Sequence, residues 1–310
     1  MSDAGDTWRI ATRRSALAQT QAKTVADALS AATGRPAELV PLATTGDDHP
    51  DRAIEAFDSK GLFVDQTRQA VLAGQCHMVV HSYKDLPTEP AENLTIGAVP
   101  ARVDPRDVLV SRQGWSLDDI PTDRPIVVGT SSPRRGAQLT YHRSNVTVTP
   151  IRGNIQTRMG KVTAGELDAV VLAMAGLVRL QPDIGVLRAV PFTHEQMLHA
   201  PAQGALAVEC RADDEATLTA LAAIDDEMTR VEVDAERAML ARLEGGCTAP
   251  IGAHAGGAGN GTVRLTGVLA DPNGAQLHRI SDDAPPAEAA GLGNRVAEAL
   301  LEVGAAILGR

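Results

Sequence analysis

Aromatic residues make up only 2% of this 310-residue chain, as three Phe, two Trp and two Tyr. Nucleic-acid binding leans on stacking aromatics and basic stripes. With 29 basic against 39 acidic residues, a net charge of -10, the chain is poorly suited to it, and no nucleic-acid partner is expected. Cysteine is also scarce. Cys76, Cys210 and Cys247 are odd in number, far apart and without CxxC spacing, which leaves no disulfide framework or zinc ribbon and fits a reducing cytoplasm. The longest apolar run, Ala169 to Val178, is too short to span a bilayer, and MSDAGDTWRIATRRS lacks an apolar signal core, so a soluble protein without membrane contact is expected. Lysine is almost missing: Lys23, Lys60, Lys84 and Lys161 are the only ones, and the other basic residues are arginines. A GC-rich genome explains that blandly; a site that grips carboxylates bidentately explains it more sharply.

Motifs are missing as well. Without GxxxxGK[ST], a nucleoside triphosphate is not implied, and without GxSxG or a GxGxxG following a strand, triad hydrolases and dinucleotide enzymes fall away. The histidines show no HExxH, so no catalytic protein-bound metal is expected.

What is present is alternation. Short β-branched runs (Arg9–Thr12, Glu38–Leu42, Met78–His81, Thr95–Val99, Ile126–Val128, Val146–Thr149, Ala169–Leu172, Ala205–Glu209) alternate with helical patterns, as in doubly wound α/β sheets. The helical patterns are Ala16–Ala32, Phe63–Ala73, Arg134–His142, Ile155–Thr163 and Ala173–Leu180. The last third reads differently: two helices (Asp213–Ile224, Val231–Leu243), a loop EGGCTAPIG, three strand-like runs and a closing helix near Ala287–Leu308, a small α+β domain.

Chemistry-bearing residues gather at predicted strand ends. RIATRRS (Arg9 to Ser15) and GTSSPRRG (Gly129 to Gly136) each place hydroxyls and arginines at a helix N-terminus, where free N–H groups suit an anion; an ordinary serine cap is the bland alternative. Asp85 in HSYKDLP is a candidate acid or base beside Lys84. Arg134, Arg135, Arg152 and Arg158 come from two strand ends and suggest a cleft for several carboxylates. Cys76 and Cys210 read as core residues. Cys247, in a Gly-Gly-Cys turn, reads as a nucleophile or covalent anchor.

The strings RIATRRSALA (9–18), SKGLFV (59–64), VVHSYKDLP (79–87), DPRDVLVS (104–111), VGTSSPRR (128–135), IRGNIQTR (151–158), DAVVLAMAGLVRL (168–180), QGALAVEC (203–210) and ERAMLARLEGGCTAPIG (236–252) run in order over nearly the whole chain. Together they resemble the porphobilinogen deaminase, or hydroxymethylbilane synthase, family. The resemblance implies two type II periplasmic-binding-protein-like doubly wound domains plus a small α+β C-terminal domain. Domain 1 would take 1–100 and 203–222, domain 2 101–202 and domain 3 223–310. It implies a transferase of porphyrin and haem biosynthesis that condenses four porphobilinogen molecules head to tail, releases ammonia and, by hydrolysis, frees hydroxymethylbilane.

By the same resemblance, a dipyrromethane cofactor is attached covalently through Cys247, with no metal and no nucleotide. It would be held by Ser82, Lys84, Thr130, Ser131, Ser132, Arg134, Arg135, Arg152, Gly153 and Arg158. Asp85 would be catalytic, and Arg13, Ser15, Lys60, Phe63, Arg102, Arg179 and Gln203 would meet the substrate. A monomer is implied. Segment 46–62 would form a lid, in which Ala56, Asp58 and Ser59 depart from the family pattern. Two other readings compete. A two-lobed solute-binding protein would give Cys247 no role, and a cysteine acyltransferase would need His254 as its base.

Overall fold

The computed structural model describes residues 7–42, 65–244, 250–304 and 307. The chain divides into two compact units, Met1–Arg102 with Ala205–Arg230 and Val103–Gly204 with Val231–Arg310.

Unit 1 holds β1 (Trp8–Arg13), α1 (Ala16–Thr33), β2 (Ala37–Leu42), α2 (Asp65–Leu72), β3 (Met78–Ser82) and β4 (Leu94–Ala98). The other unit contributes β5 (Asp107–Ser111), β6 (Ile126–Gly129), α3 (Pro133–His142), β7 (Val146–Thr149), α4 (Ile155–Thr163), β8 (Ala169–Ala173), α5 (Met174–Leu180) and β9 (Arg188–Pro191). The chain then returns to unit 1 for β10 (Leu206–Arg211) and α6 (Glu215–Ala222), and α7 (Glu227–Glu244) follows. Unit 2 is completed by β11 (Ile251–Gly257), β12 (Val263–Ala270), β13 (Leu277–Ala284) and α8 (Ala289–Val303).

The sheet of unit 1 has the order β2-β1-β3-β10-β4, and the larger sheet of unit 2 has β7-β6-β8-β5-β9. In each, the first three strands run parallel and the fourth, β10 or β5, is antiparallel to its neighbours. This is the expected type II doubly wound pattern, occurring twice. Period-two alternation explains why both faces need cover. Ile10, Met78 and Val208 pack with Val25, Leu29 and Leu221 on one face, while Ala11 and Val79 pack with Val71 and Cys76 on the other. In unit 2, Leu109, Val128 and Val171 face Leu139, whereas Val108, Val110 and Val170 face Met159 and Val162. A separate antiparallel sheet, β11-β12-β13, buries Ala253, Leu265 and Leu269 against Met239 of α7 and Leu292, Val296 and Leu300 of α8. Each such Leu, Val, Ile or Met side chain contributes about 1.5–3 kcal/mol when fully buried.

Two strands lie outside the sequence expectation. β5 starts on a buried acid, Asp107, and β9 has four residues ending in Pro191, so neither shows a β-branched run long enough to stand out. The tight loop before β10 explains its own composition. Gly204 has φ +88, and a Cβ there would lie 2.5 Å from the Val103 carbonyl oxygen, so no larger residue fits.

Candidate active site

In unit 1 the candidate residues cluster after β1 and β3. Ser15 caps α1, its Oγ accepting from the Ala18 N–H at 3.3 Å, and half-buried Arg13 closes β1. Beyond β3, the Tyr83 N–H donates to the Ala205 carbonyl at 3.1 Å and the Leu86 N–H returns to Tyr83 at 3.2 Å, closing a short 3-10 turn. Tyr83 is buried, so the turn leaves Lys84 half-buried and Asp85 exposed at the C-terminal end of the strand, where α/β sheets present ligand groups. Ser82 is turned to another purpose: its hydroxyl exchanges hydrogen bonds with the Gln21 amide at 2.8 and 3.1 Å, tying β3 to α1. One strand over, buried Glu209 of β10 accepts two bonds from Arg68, at 2.7 and 2.8 Å, and lies 3.3 Å from His81 Nε2. Burial pulls the Glu209 pKa up, but His81 and Arg68 outweigh it and hold the carboxyl below its ordinary value. The Arg102 backbone N–H donates to Thr229 Oγ1 at 3.1 Å.

Unit 2 arranges its arginines in two ways. Arg134 and Arg135, in the first turn of α3, point inward onto Asp107, the first residue of β5, which is fully buried. Arg134 reaches Asp107 Oδ2 at 2.6 Å and the Leu198 carbonyl at 2.7 Å. Arg135 donates to Asp107 Oδ1 through Nε and a terminal nitrogen, at 3.0 and 2.7 Å, and to the Val171 carbonyl at 3.0 Å. Gln203 Nε2 completes the set at 2.8 Å from Asp107 Oδ1, with Pro105 also accepting at 2.8 Å. Burial pulls the Asp107 pKa upward; the two guanidinium charges and their hydrogen bonds override it and drive the pKa far below the usual carboxylate range.

Arg158 and Arg179 are held differently. Arg158 Nε donates to the Gly153 carbonyl at 2.8 Å and Arg179 to the Gly204 carbonyl at 2.8 Å, and neither meets a carboxylate among the described residues. Burial and the neighbouring charge of Arg135 lower the Arg158 pKa, and burial takes that of Arg179 down to about 10. Half-buried cations without an acidic partner are costly, and an anionic ligand removes the cost.

The hydroxyl loop between β6 and α3 builds the local frame. Ser132 caps α3, accepting from the Arg135 N–H at 3.4 Å, and Thr130 Oγ1 accepts from the Ser132 N–H at 3.2 Å. Ser131 Oγ donates to the Ile151 carbonyl at 2.6 Å and accepts its N–H at 2.9 Å, fastening this loop to the one carrying Arg152. Arg152 is exposed. Gly153 has φ +99, and a Cβ there would strike Thr157 at 2.8 Å.

Sequence reasoning did not single out Asp107, Glu209 or Arg68. An acid inside an apolar strand is the only trace of the first two. Cys76 and Cys210 are buried as expected, and burial raises both thiols, Cys210 to about 11, so neither ionises near neutral pH. Cys247, Lys60 and Phe63 lie outside the described residues, as do Ala56, Asp58 and Ser59.

Two doubly wound sheets with cationic and hydroxyl groups at their strand ends define an α/β protein built to handle an anionic small molecule. The chain belongs to the porphobilinogen deaminase family. A model of the porphobilinogen deaminase dipyrromethane cofactor binding domain matches residues 8–219, and one of the family's C-terminal domain matches 230–302. Porphobilinogen deaminase of Nocardia farcinica is 48% identical over 97% of this chain and 87% of its own length. The Brevibacillus brevis protein of that name is 44% identical over 96% and 95%, and that of Mycobacterium tuberculosis is 47% identical over 96% and 96%. Among solved structures, an ancestral cationic amino acid solute binding protein superposes over 70% of this chain and 86% of its own at 15% identity, with a TM-score of 0.43.

Proposed function

We propose that this chain is a hydroxymethylbilane synthase that condenses four porphobilinogen molecules head to tail and then releases hydroxymethylbilane by hydrolysis. The observation that carries this reading is the pair of half-buried guanidiniums, Arg158 and Arg179, left without a carboxylate partner among the described residues. Each pyrrole of the dipyrromethane group and of the substrate bears an acetate and a propionate, so these residues fit the group. When bound through Cys247, the dipyrromethane supplies the free pyrrole carbon to which the next unit is added.

The chain's own residues have distinct tasks. Arg158, Arg152, the Ser132 end of α3, Lys84 and Arg13 bind carboxylates. Arg134, Arg135 and Gln203, clamped on Asp107, fix the loop that presents them. Asp85, exposed at its strand end, accepts pyrrole N–H bonds while ionised and moves protons during ammonia loss and coupling. Gly153 lets the backbone approach the ligand. Ser15, Ser82, Thr130 and Ser131 set loop geometry, and Arg102, Arg179, Lys60 and Phe63 complete the substrate contacts. The three separate sheets among the described residues and the separate C-terminal family match support the division into 1–100 with 203–222, 101–202 and 223–310. A cytoplasmic monomer is part of the reading; no helix among the described residues is long and apolar enough to cross a membrane.

The intact mass of the protein purified after supply of porphobilinogen tests it. The expected result is an increment of two linked pyrroles on the wild type, none on Cys247→Ala, and a primed but nearly inactive Asp85→Asn. An unmodified, inactive wild type overturns the reading.

A further inference from the structure

Three histidines that no sequence spacing links meet inside unit 2. His194 and His199 lie on the loop between β9 and β10, and His254 lies on β11. Their ligand-forming ring nitrogens all fall within 4.8 Å of one another. His199 is fully buried; its Nδ1 is 3.0 Å from the Ala200 carbonyl oxygen and its Nε2 is 3.2 Å from His254 Nδ1. A carbonyl only accepts, so with neutral rings the His199 proton sits on Nδ1, its Nε2 presents a lone pair, and His254 Nδ1–H donates to it. The His194 ring stacks on His254 with centroids 3.6 Å apart and planes 4° from parallel. Its Nδ1 is buried with no hydrogen-bond partner among the described residues. Burial, then the charge of Arg106, favours the neutral form of His194, against the opposing pull of Glu195, Asp104 and Glu236.

The surroundings supply what such a cluster needs. Glu236 is fully buried, and its two oxygens accept from the Ala202 N–H at 2.7 Å and the Ala255 N–H at 2.9 Å. One carboxylate thus pins the histidine loop and the strand carrying His254, and places a negative charge near the rings. Ala202 is held at φ 60, an arrangement uncommon for a residue with a side chain, which shows how firmly this loop is fixed.

We propose that His194, His199 and His254 form a binding site for a divalent transition-metal ion of the zinc class. In a tetrahedral site with metal–nitrogen bonds of about 2.0–2.1 Å, two ligand nitrogens lie about 3.3–3.4 Å apart, so His199 Nε2 and His254 Nδ1 already stand at nearly that separation. His199 offers its lone pair directly and keeps its Nδ1–H on the Ala200 carbonyl, the outer hydrogen bond that orients metal-bound imidazoles. His254 shifts its ring proton from Nδ1 to Nε2, so the ion replaces the proton between the rings and no net proton is released. Parallel stacked rings cannot aim their in-plane lone pairs at one point, so His194 rotates off His254 to bring in its unpartnered Nδ1; water takes the fourth position. An all-imidazole donor set favours zinc, nickel or copper over magnesium or calcium. The ion joins the β9–β10 loop to β11 and tightens unit 2 by mass action.

The untagged full-length protein, stripped with chelator, is titrated with Co²⁺ as the optical probe and then with Zn²⁺ in competition. One Co²⁺ per chain with a tetrahedral visible spectrum lacking a thiolate charge-transfer band, displaced by Zn²⁺, is the expected result. Zn²⁺ raises the melting temperature by several degrees. His194→Asn and His254→Gln each weaken binding at least tenfold while melting with chelator as the wild type does. Absence of stoichiometric binding, or binding unchanged in His194→Asn, overturns the proposal; should His254→Gln fail to fold, His194→Asn alone decides.

Discussion

The two larger sheets share one strand pattern, and each carries a buried acid on its antiparallel fourth strand, but at different registers. In unit 1, Glu209 pairs with Val79, the second of the five residues of β3 and three short of its C-terminal end. It therefore spends its charge on Arg68 of α2 and on His81, inside the sheet and its covering helix. In unit 2, Asp107 pairs with Ala173, the last residue of β8, at the strand end where open α/β sheets place their ligands. Its charge goes to the two arginines that open α3. Those arginines sit at a helix N-terminus, where the macrodipole disfavours cations, so a nearby carboxylate is needed to keep them there. The register of one acid decides whether it braces a sheet and its covering helix or organises the loop at a strand end.

Removing the acids breaks the comparison most directly. Asp107→Asn leaves Arg134 and Arg135 buried with reduced compensation and should cost about 3–5 kcal/mol, read as a lower denaturation midpoint. Glu209→Gln should cost less, about 1.5–3 kcal/mol, because Arg68 keeps partial access to water. The pH dependence follows from direction. Both carboxyls titrate below their unfolded values when folded, so their stabilisation is present above the unfolded pKa of about 4 and is lost as pH falls through the folded pKa. The stability of Asp107→Asn should accordingly fall less steeply in acid than that of the wild type. A steeper or equal fall would remove Asp107 from the account.

The arginines sharpen the same contrast within unit 2. Arg158→Gln deletes a cation with no carboxylate partner among the described residues, so folding stability should change by less than about 1 kcal/mol. Binding of a polycarboxylate substrate should weaken by about 1.5–3 kcal/mol, roughly 10- to 150-fold in KM. Arg135→Gln should do the reverse, losing stability first. Equal losses of stability in the two variants would show that the division between clamped and ligand-facing arginines is wrong.

Much of this arrangement is legible in the sequence because it is local. β1, β3, β6, β7 and β8 follow β-branched runs, and Ser15 and Ser132 occupy the capping positions their hydroxyls predict. α7 starts four residues before Val231, where the sequence pattern places it: in the first turn Glu227–Arg230 the one apolar residue, Met228, is exposed, and the turn is fixed instead by Asp226 accepting from the Thr229 N–H at 2.8 Å. What sequence could not show is direction across the fold. Arg134 and Arg135 look like free ligand groups until Asp107 arrives from 27 and 28 residues away, and His199 meets His254 across 55. Long-range pairing of single polar residues leaves no periodicity to read.

The smallest effects test whether the two strand-to-helix turns, RIATRRS and GTSSPRRG, are as alike as their shared hydroxyls and arginines imply. Ser15→Ala and Ser132→Ala each remove one cap bond, worth about 1 kcal/mol. Ser131→Ala removes two bonds and leaves the Ile151 N–H without its acceptor, so it should cost more, about 1–3 kcal/mol. Amide hydrogen exchange resolves the three locally: faster exchange is expected at Ala18 for the first, at Arg135 for the second and at Ile151 for the third. If Ser131→Ala leaves Ile151 as protected as before, the turns differ only in sequence. If it exposes Ile151 while Ser15→Ala affects Ala18 alone, unit 2 has fastened two strand-end loops together where unit 1 has capped a single helix.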